Sequence, residues 1–464
     1  MNNGRYYLAL LLGKSISKVL SLLHSGATAA PGLYASKIDK DILKKLTSQL
    51  DFSIVVSGTN GKTTTARILA GIFKAINQNF IHNRTGSNLE RGIVSELIKK
   101  ANFLSQPKKT IGLWEIDEAF LPTAVKILKP RVVLLTNLFR DQLDRYGEID
   151  SLAKKWKEAL KTLPKTSVAI LNSDDPTVAC LGKNLDCKVI YYGLRDKNLG
   201  TKNISHASDA TLCPNCLKPL KYNSCFISHL GIYQCLECHH LQPEPDFSAD
   251  KVKLSEDGLE ITAKTKKQKC QLKIKISGLY NSYNVLAAAT TAHVLDISFE
   301  KICVGLKNFK PAFGRLEKLT IKDKKLKILL VKNPTGFNEV LKTVFSYFKN
   351  KPISLLIVLN DLIADGKDVS WIWDIDFEYL KQFKNLEKII ISGLRAEDMA
   401  LRIKHSQFPI GKNNFEVEKN VNEAIELLLK SQSNNLFIFP TYTAMLNIRK
   451  ILNKKGFIHS TWKD

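Results

Sequence analysis

The stretch Phe52 to Ala66, FSIVVSGTNGKTTTA, restricts the possible folds more than any other part of this 464-residue chain. A β-rich run, Phe52 to Ser57, passes through Gly58-Thr59-Asn60-Gly61 into Lys62-Thr63-Thr64-Thr65 and then into an apolar-periodic helix. Strand, glycine turn and helix in that order form a phosphate cradle. Glycines let backbone N–H groups approach phosphate oxygens, the helix N-terminus adds the positive end of its dipole, the lysine reaches the outer phosphates, and a threonine hydroxyl can hold Mg²⁺. The general form of such a loop would place its first glycine at Val56, so this loop opens later, at Gly58, and is shorter. The reading is ATP binding, with Gly58, Thr59, Asn60, Gly61, Lys62, Thr63 and Thr64 as its contacts.

The rest of the chain supplies an α/β frame for that loop. Strand-like runs at 53–57, 110–116, 131–136, 167–171 and 188–192 are rich in Val, Ile and Leu and alternate with helical stretches, which predicts a parallel sheet with crossovers. Three polar stretches sit at strand ends. These are 82–92 (HNRTGSNLERG), the carboxylates Glu115, Asp117 and Glu118, and 136–150 with Asp141 and Asp144. Acidic residues at strand ends are commonly only solvated, but several converging on one phosphate loop make a site where the Mg²⁺ of a nucleotide sits.

Residues 213–238 interrupt the pattern with CPNC and CLEC. Cys213, Cys216, Cys235 and Cys238 have the spacing of a two-knuckle zinc ribbon, and four thiolates leave no open coordination position, so the Zn²⁺ is expected to be structural. Cys180, Cys187, Cys225, Cys270 and Cys303 lack ligand spacing and read as core residues. Nine cysteines with no secretory signal point to a reducing compartment. After alternating segments at 250–277 come GLYNSYNVLAAATTAHVL, with Asn281 and Asn284, and PAFGRLE, with Arg315. Strand-like runs resume at 326–331, 353–359, 387–392 and 435–439, predicting a second α/β domain with polar junctions at 332–339 and 360–376. The expected boundaries are a helical segment over 1–48, an ATP-binding domain over 49–318 with a ribbon insertion near 205–245, and a smaller Rossmann-like domain over 319–464.

Charge and hydropathy exclude less. The net charge of +25 suits an acidic partner, whether nucleic acid, an anionic membrane or a phosphorylated substrate, although scattered lysines also produce it. No run reaches the roughly 18 apolar residues of a membrane span. Residues 5–23 read as an amphipathic helix that either packs on the protein's own core or rests on a membrane surface.

Taken together, GTNGKTTTA, EIDE, TNLFRDQLDRYGEID, NSDDP at 172–176, GLYNSYNVLAAA and GRLE resemble the Mur ligase superfamily over nearly the whole chain from about residue 50. That resemblance implies a central ATPase domain and amide formation through an acyl phosphate. It implies that Lys62 and Thr63 hold the ATP phosphates and Mg²⁺, that Glu115 binds the metal, that Asn281 and Asp174 face the adenosine, and that Arg315 reaches the γ-phosphate. Three departures matter. The chain has no room for a domain holding a UDP-linked precursor, it reads Asp141-Gln142 where many members have Asp-His, and Lys154, Lys155 and Lys157 match the modified lysine of some members only loosely.

KNPTGFNEVL and ADGKDVSWIWDIDFE are similar to one branch, the ligase subunits that amidate the D-glutamate α-carboxylate of lipid II with ammonia from a separate GatD-type glutaminase. No nucleophile elbow is present for this chain to hydrolyse glutamine itself. The resemblance makes Asp368 the residue completing the partner's Cys-His pair, while the same Asp before Val369-Ser370-Trp371 is also an ordinary helix cap. It implies a cytoplasmic enzyme, peripheral at the inner face of the membrane, with no nucleic-acid partner. Two other classes remain on the sequence: a zinc-ribbon ATPase driven by nucleic acid, and a folylpolyglutamate-like ligase using a free amino acid.

Overall fold

The computed structural model describes residues 3–22, 29–83, 88–101, 110–141, 149–202, 204, 208–309, 317–409, 411 and 414–458. Its first half contains β1 Phe52–Ser57, β2 Phe80–His82, β3 Ile111–Glu115, β4 Val132–Leu135, β5 Val168–Asn172 and β6 Lys188–Leu194. The hairpin β7 Lys221–Ile227 and β8 Leu230–Gln234 follows, and then β9 Phe247–Leu254, β10 Leu259–Thr265 and β11 Lys269–Ile274. All but the hairpin form one sheet in the order β11-β10-β9-β6-β5-β4-β1-β3-β2. Pairing is parallel from β2 through β9, and β9, β10 and β11 close the edge as an antiparallel meander.

The unbroken apolar run of β1 has a direct cause. Ile54 and Val56 enter one core and Val55 the other, so the strand is covered on both faces and cannot alternate with polar residues. One face carries α1 Asn3–Leu22, α2 Ala30–Ile38, α3 Ile42–Thr47, α5 Glu90–Lys100, α6 Leu121–Leu128 and α7 Ile149–Lys161. The other carries α4 Lys62–Ala75, α9 Tyr280–Val294 and α10 Phe299–Lys307; the short α8, Pro176–Cys180, follows β5. The helices α1, α2 and α3 of the first fifty residues are therefore part of the layer over the central sheet. Gly32 allows this close packing, because a Cβ there would lie 2.0 Å from the Arg91 carbonyl of α5.

The second sheet is built from β12 Glu317–Ile321, β13 Lys324–Ile328, β14 Ile353–Val358, β15 Leu386–Ser392, β16 Phe415–Val417 and β17 Asn435–Pro440. Its order is β12-β13-β17-β14-β15-β16, parallel except for β12 against β13. Helices α11 Pro334–Phe348, α12 Ala396–His405, α13 Val421–Lys430 and α14 Tyr442–Lys454 accompany it. The cores on its two faces are separate from those of the first sheet. Among the described residues no helix is long and apolar enough to cross a membrane.

Candidate active site

β1 lies between β3 and β4, and the chain moves to opposite sides of it before and after β3, so the crevice at the C-terminal end of β1 is the switch point where α/β sheets bind ligands. The glycine turn sits in that crevice. Gly58 and Gly61 have φ of +131° and +89°, in the left-handed region that side chains rarely enter. A Cβ on Gly58 would lie 2.1 Å from Thr136 Oγ1, and one on Gly61 would lie 2.0 Å from Asn284 Oδ1.

The end of β4 holds the turn from below. Thr59 N donates to the Asn137 carbonyl at 2.9 Å, and Asn60 N donates to Asn137 Oδ1 at 2.8 Å. Thr136 Oγ1 and Asn137 Nδ2 both donate to the Asn60 carbonyl. Thr59 Oγ1 donates to the Phe139 carbonyl at 3.1 Å and accepts from Phe139 N at 3.0 Å. Lys62 Nζ lies over the turn, 2.5 Å from the Gly58 carbonyl and 3.0 Å from Glu118 Oε2. Burial raises the Glu118 carboxyl above its ordinary range, against the pull of Lys62 and Lys332. Thr64, on the first turn of α4, is buried.

Beside the turn, Thr63 Oγ1 donates to Glu115 Oε1 at 2.6 Å, and Asn88 Nδ2 reaches the same oxygen at 3.2 Å. Asn83 fixes the backbone of Glu115 by a reciprocal pair of hydrogen bonds, at 2.8 and 2.9 Å. Glu115 Oε2 is buried with no hydrogen-bond partner among the described residues. An ionised oxygen left in that state is costly unless a cation meets it, so the donor set fits the Mg²⁺ of a nucleotide.

Asn281 and Asn284 are placed by α9, whose alanines let it approach α4 closely. Asn284, which meets Gly61 and accepts from Thr65 Oγ1 at 3.3 Å, is the one against the turn, while Asn281 stands behind it and accepts from Asn284 Nδ2 at 2.9 Å. Asp174 departs from its expected part. Its side chain is fully buried, and both oxygens are taken by Ser173 Oγ, Leu194 N, Arg195, Gln242 Nε2 and the Tyr283 hydroxyl. These bonds make the residue a bolt across β5, β6, α9 and the segment carrying the four cysteines. Arg315, Asp144 and Gln142 lie outside the described residues.

The four cysteines do converge, with all Sγ atoms within 4.8 Å of one another and the pairs Cys213–Cys238 and Cys216–Cys235 at 3.6 and 3.5 Å. Bonds of about 2.3 Å in a tetrahedron give sulfur–sulfur edges near 3.8 Å, so the cluster fits zinc. Leu217 and His239, each four residues after the first cysteine of its knuckle, share left-handed φ values of +61° and +53°. The tip of the hairpin reaches the nucleotide crevice. His229 is buried and packs against Phe139 with ring centroids 4.4 Å apart and planes tilted by 44°, and Asp175 Oδ2 lies 3.5 Å from its Nε2.

Residues of the second sheet's domain also arrive, and no local pattern could have found them because their partners lie up to 273 positions away. Asn333, the N-cap of α11, donates from Nδ2 to Asn60 Oδ1 at 3.0 Å, and Lys332 pairs with Asp141. Asp368 lies elsewhere, exposed in a loop of that domain. It accepts from Ser370 N at 2.8 Å and Ser370 Oγ at 2.9 Å, a local turn contact one residue before Val369, the cap position of the short 3-10 turn Ser370–Asp374, which has no side-chain cap; the expected helix cap is therefore not formed, and Asp368 is exposed.

Comparison with known proteins places this crevice in a class. Residues 56–236 match the Mur ligase middle domain, and residues 330–445 match the MurT ligase C-terminal domain. The fold is similar to a pseudomurein peptide ligase type C from Methanothermus fervidus, with TM-score 0.67 and 25% identity over 87% of this chain and 78% of that one. It is similar in fold to a Mycobacterium tuberculosis folylpolyglutamate synthase complexed with ADP and AMPPCP, with TM-score 0.59 and 14% identity over 96% and 98% of the two chains. The protein is thus an ATP-dependent ligase of the Mur type. It is 33% identical over 97% of its length to the MurT subunit of the glutamine-hydrolysing lipid II isoglutaminyl synthase of Streptococcus pneumoniae, covering 98% of that subunit, and 33% identical over the same share to that of Staphylococcus aureus. The chain belongs to the MurT family.

Proposed function

We propose that this chain amidates the α-carboxylate of the D-glutamate in lipid II, giving D-isoglutamine, with ammonia from a GatD-type glutaminase subunit. The observation that carries the reading is the match to MurT subunits over 97% of the chain, second domain included. A carboxylate oxygen attacks the γ-phosphorus of ATP and ADP leaves. The ammonia nitrogen then attacks the acyl carbon, phosphate leaves, and a proton is lost.

This chain's residues suit the first step. With the Thr59 and Asn60 amides held by Asn137, the Gly61 amide and the N-terminal end of α4 would meet the phosphates, Lys62 would exchange Glu118 for the outer phosphate, and Thr63 with Glu115 would hold a Mg²⁺ able to offset charge during phosphoryl transfer. Arg315 is assigned to the γ-phosphate on the resemblance alone, and the ribbon is assigned a structural Zn²⁺. Lys332 and Asn333 close the crevice from the second domain. Asp368 would complete the partner's triad, and its loop exposes Leu362 and Ile363, while Leu394 in the loop after β15 and Tyr442 at the start of α14 are exposed as well. Such an apolar surround suits a subunit interface. The lipid-linked substrate places the enzyme in the cytoplasm at the inner membrane face.

The test is co-expression with the glutaminase and mass analysis of lipid II. Lys62→Ala is expected to abolish amidation from both glutamine and ammonium. Asp368→Asn is expected to abolish only the glutamine-driven reaction. Loss of both with Asp368→Asn would remove it from the triad, and ATP turnover stimulated by DNA alone would replace the ligase reading.

A further inference from the structure

The helix α1 is apolar on both sides, and only one side packs against the core of the described residues. Ala9, Leu10 and Gly13 face the core, and a Cβ on Gly13 would lie 2.7 Å from Ile98 of α5. Leu8, Leu11, Leu12, Val19 and Leu22 remain exposed, at 56, 55, 36, 52 and 70%. At about 100° per residue these five fall within an arc of about 100°. Leu33 and Tyr34 of α2 extend the exposed apolar surface. An apolar stripe of this kind on a water-facing helix marks an interaction surface.

Its charge says what the surface meets. The chain has 44 acidic residues in 464 but none before Asp39, whereas Arg5, Lys14, Lys18 and Lys37 all precede it. Arg5 and Lys18 are exposed and fall on opposite edges of the stripe, while Lys37 is exposed on α2 with its Nζ 5.5 Å from the Tyr34 ring. An apolar face bordered by cations and free of carboxylates is complementary to an anionic lipid surface, where apolar side chains enter the headgroup boundary and the cations stay among the phosphates.

We infer that the outward face of α1, with Leu33 and Tyr34 of α2, docks the protein on an anionic bilayer. The inference deepens the lipid II reading by naming the surface that brings the enzyme to its substrate. α5 connects the two places. Its C-terminal end holds α1 through Ile98 and the Lys14 bond to the Ala101 carbonyl, and Asn88, just before its start, touches Glu115. Eleven helical residues separate them, about 16 Å.

Flotation of the full chain with vesicles lacking lipid II tests the docking separately from the ligase reading. Wild type is expected to float with phosphatidylcholine vesicles containing phosphatidylglycerol, weakly with phosphatidylcholine alone, and less at high salt. Leu8→Glu/Leu11→Glu is expected to lower that binding at least about tenfold with melting temperature and ATP affinity unchanged, since both positions are on the surface. Wild type that fails to float, or a double variant that floats equally well, overturns the inference. If wild type fails to float and the variant instead dissociates a self-dimer or loses the glutaminase, the face belongs to a protein contact. Floating without amidation would leave the docking intact and overturn the ligase reading alone.

Discussion

Gly61 carries two requirements at one position, a left-handed φ of +89° and direct contact with Asn284 Oδ1. Gly61→Ala is expected to destabilise the fold by about 1–3 kcal/mol and to weaken ATP binding at least about tenfold, read by thermal melts and calorimetric titration. Adding Asn284→Ala removes the overlap but leaves the backbone strain, so only part of the loss should return. Full recovery in the double variant would assign the whole effect to packing. Asp174 is the other residue on which much converges. Asp174→Ala strands Arg195, Tyr283 and Gln242 around an empty site, and the expected loss is about 3–5 kcal/mol in denaturant unfolding. A loss below 1 kcal/mol would show that the network is dispensable. The glycines of this site were legible in the sequence because a phosphate turn needs them whatever surrounds it. Asp174 was not. Of the two carboxylates in NSDDP, only the tertiary packing determines that one is buried against Arg195 while the other, Asp175, caps α8 and accepts from Leu138 N.

Among elements, the segment carrying the four cysteines is the one whose convergence was legible and whose purpose was not. Two CxxC pairs predict a metal cluster from spacing alone, but the contacts that seat the hairpin join Phe139 to His229 and Arg140 to Asp209, across loops that no periodicity connects. Those contacts give the ribbon a mechanical link to the glycine turn. His229 packs at a tilt against Phe139, whose backbone exchanges two hydrogen bonds with Thr59 of the phosphate turn. Cys213→Ser/Cys216→Ser, or zinc removal by a chelator, is expected to open residues 213–238 to protease and to weaken ATP binding several-fold, with the second sheet's domain resisting digestion. His229→Ala, which spares the cysteines, should reproduce the loss of ATP affinity without the loss of protease resistance. If chelation leaves the affinity unchanged, the hairpin supports only itself.

At the scale of the whole molecule, alternating strands and helices made two α/β bodies legible, but how they meet rests on single polar contacts between distant residues. Around the nucleotide crevice these are Asn60 with Asn333, Asp141 with Lys332, and Arg140 with Asp374. A second set lies on the turn between β9 and β10, where Asp257 meets Lys318 at 2.6 Å and Glu256 meets Lys327 at 2.7 Å and Lys351 at 3.5 Å. Partial burial pushes the Glu256 carboxyl up, but the hydrogen bond and charge of Lys327, with Lys351, outweigh it and hold the group below its ordinary 4.5. A carboxyl depressed in the folded state stabilises the fold above its unfolded value, and the contribution disappears as pH falls through the depressed one. Glu256 is about one-third exposed, so solvent screening limits the pair to at most about 1 kcal/mol. Glu256→Gln is therefore expected to lower stability by up to that amount at pH 7, with the difference from wild type shrinking as pH falls below 4.5. Because the turn holds the two bodies together and lies apart from the phosphate loop, the variant should keep its ATP affinity while its bodies become more readily separated by protease. A stability difference that persists unchanged well below pH 4.5 would mean that Glu256 acts through packing, and that charge across this seam contributes little to holding the second domain over the nucleotide.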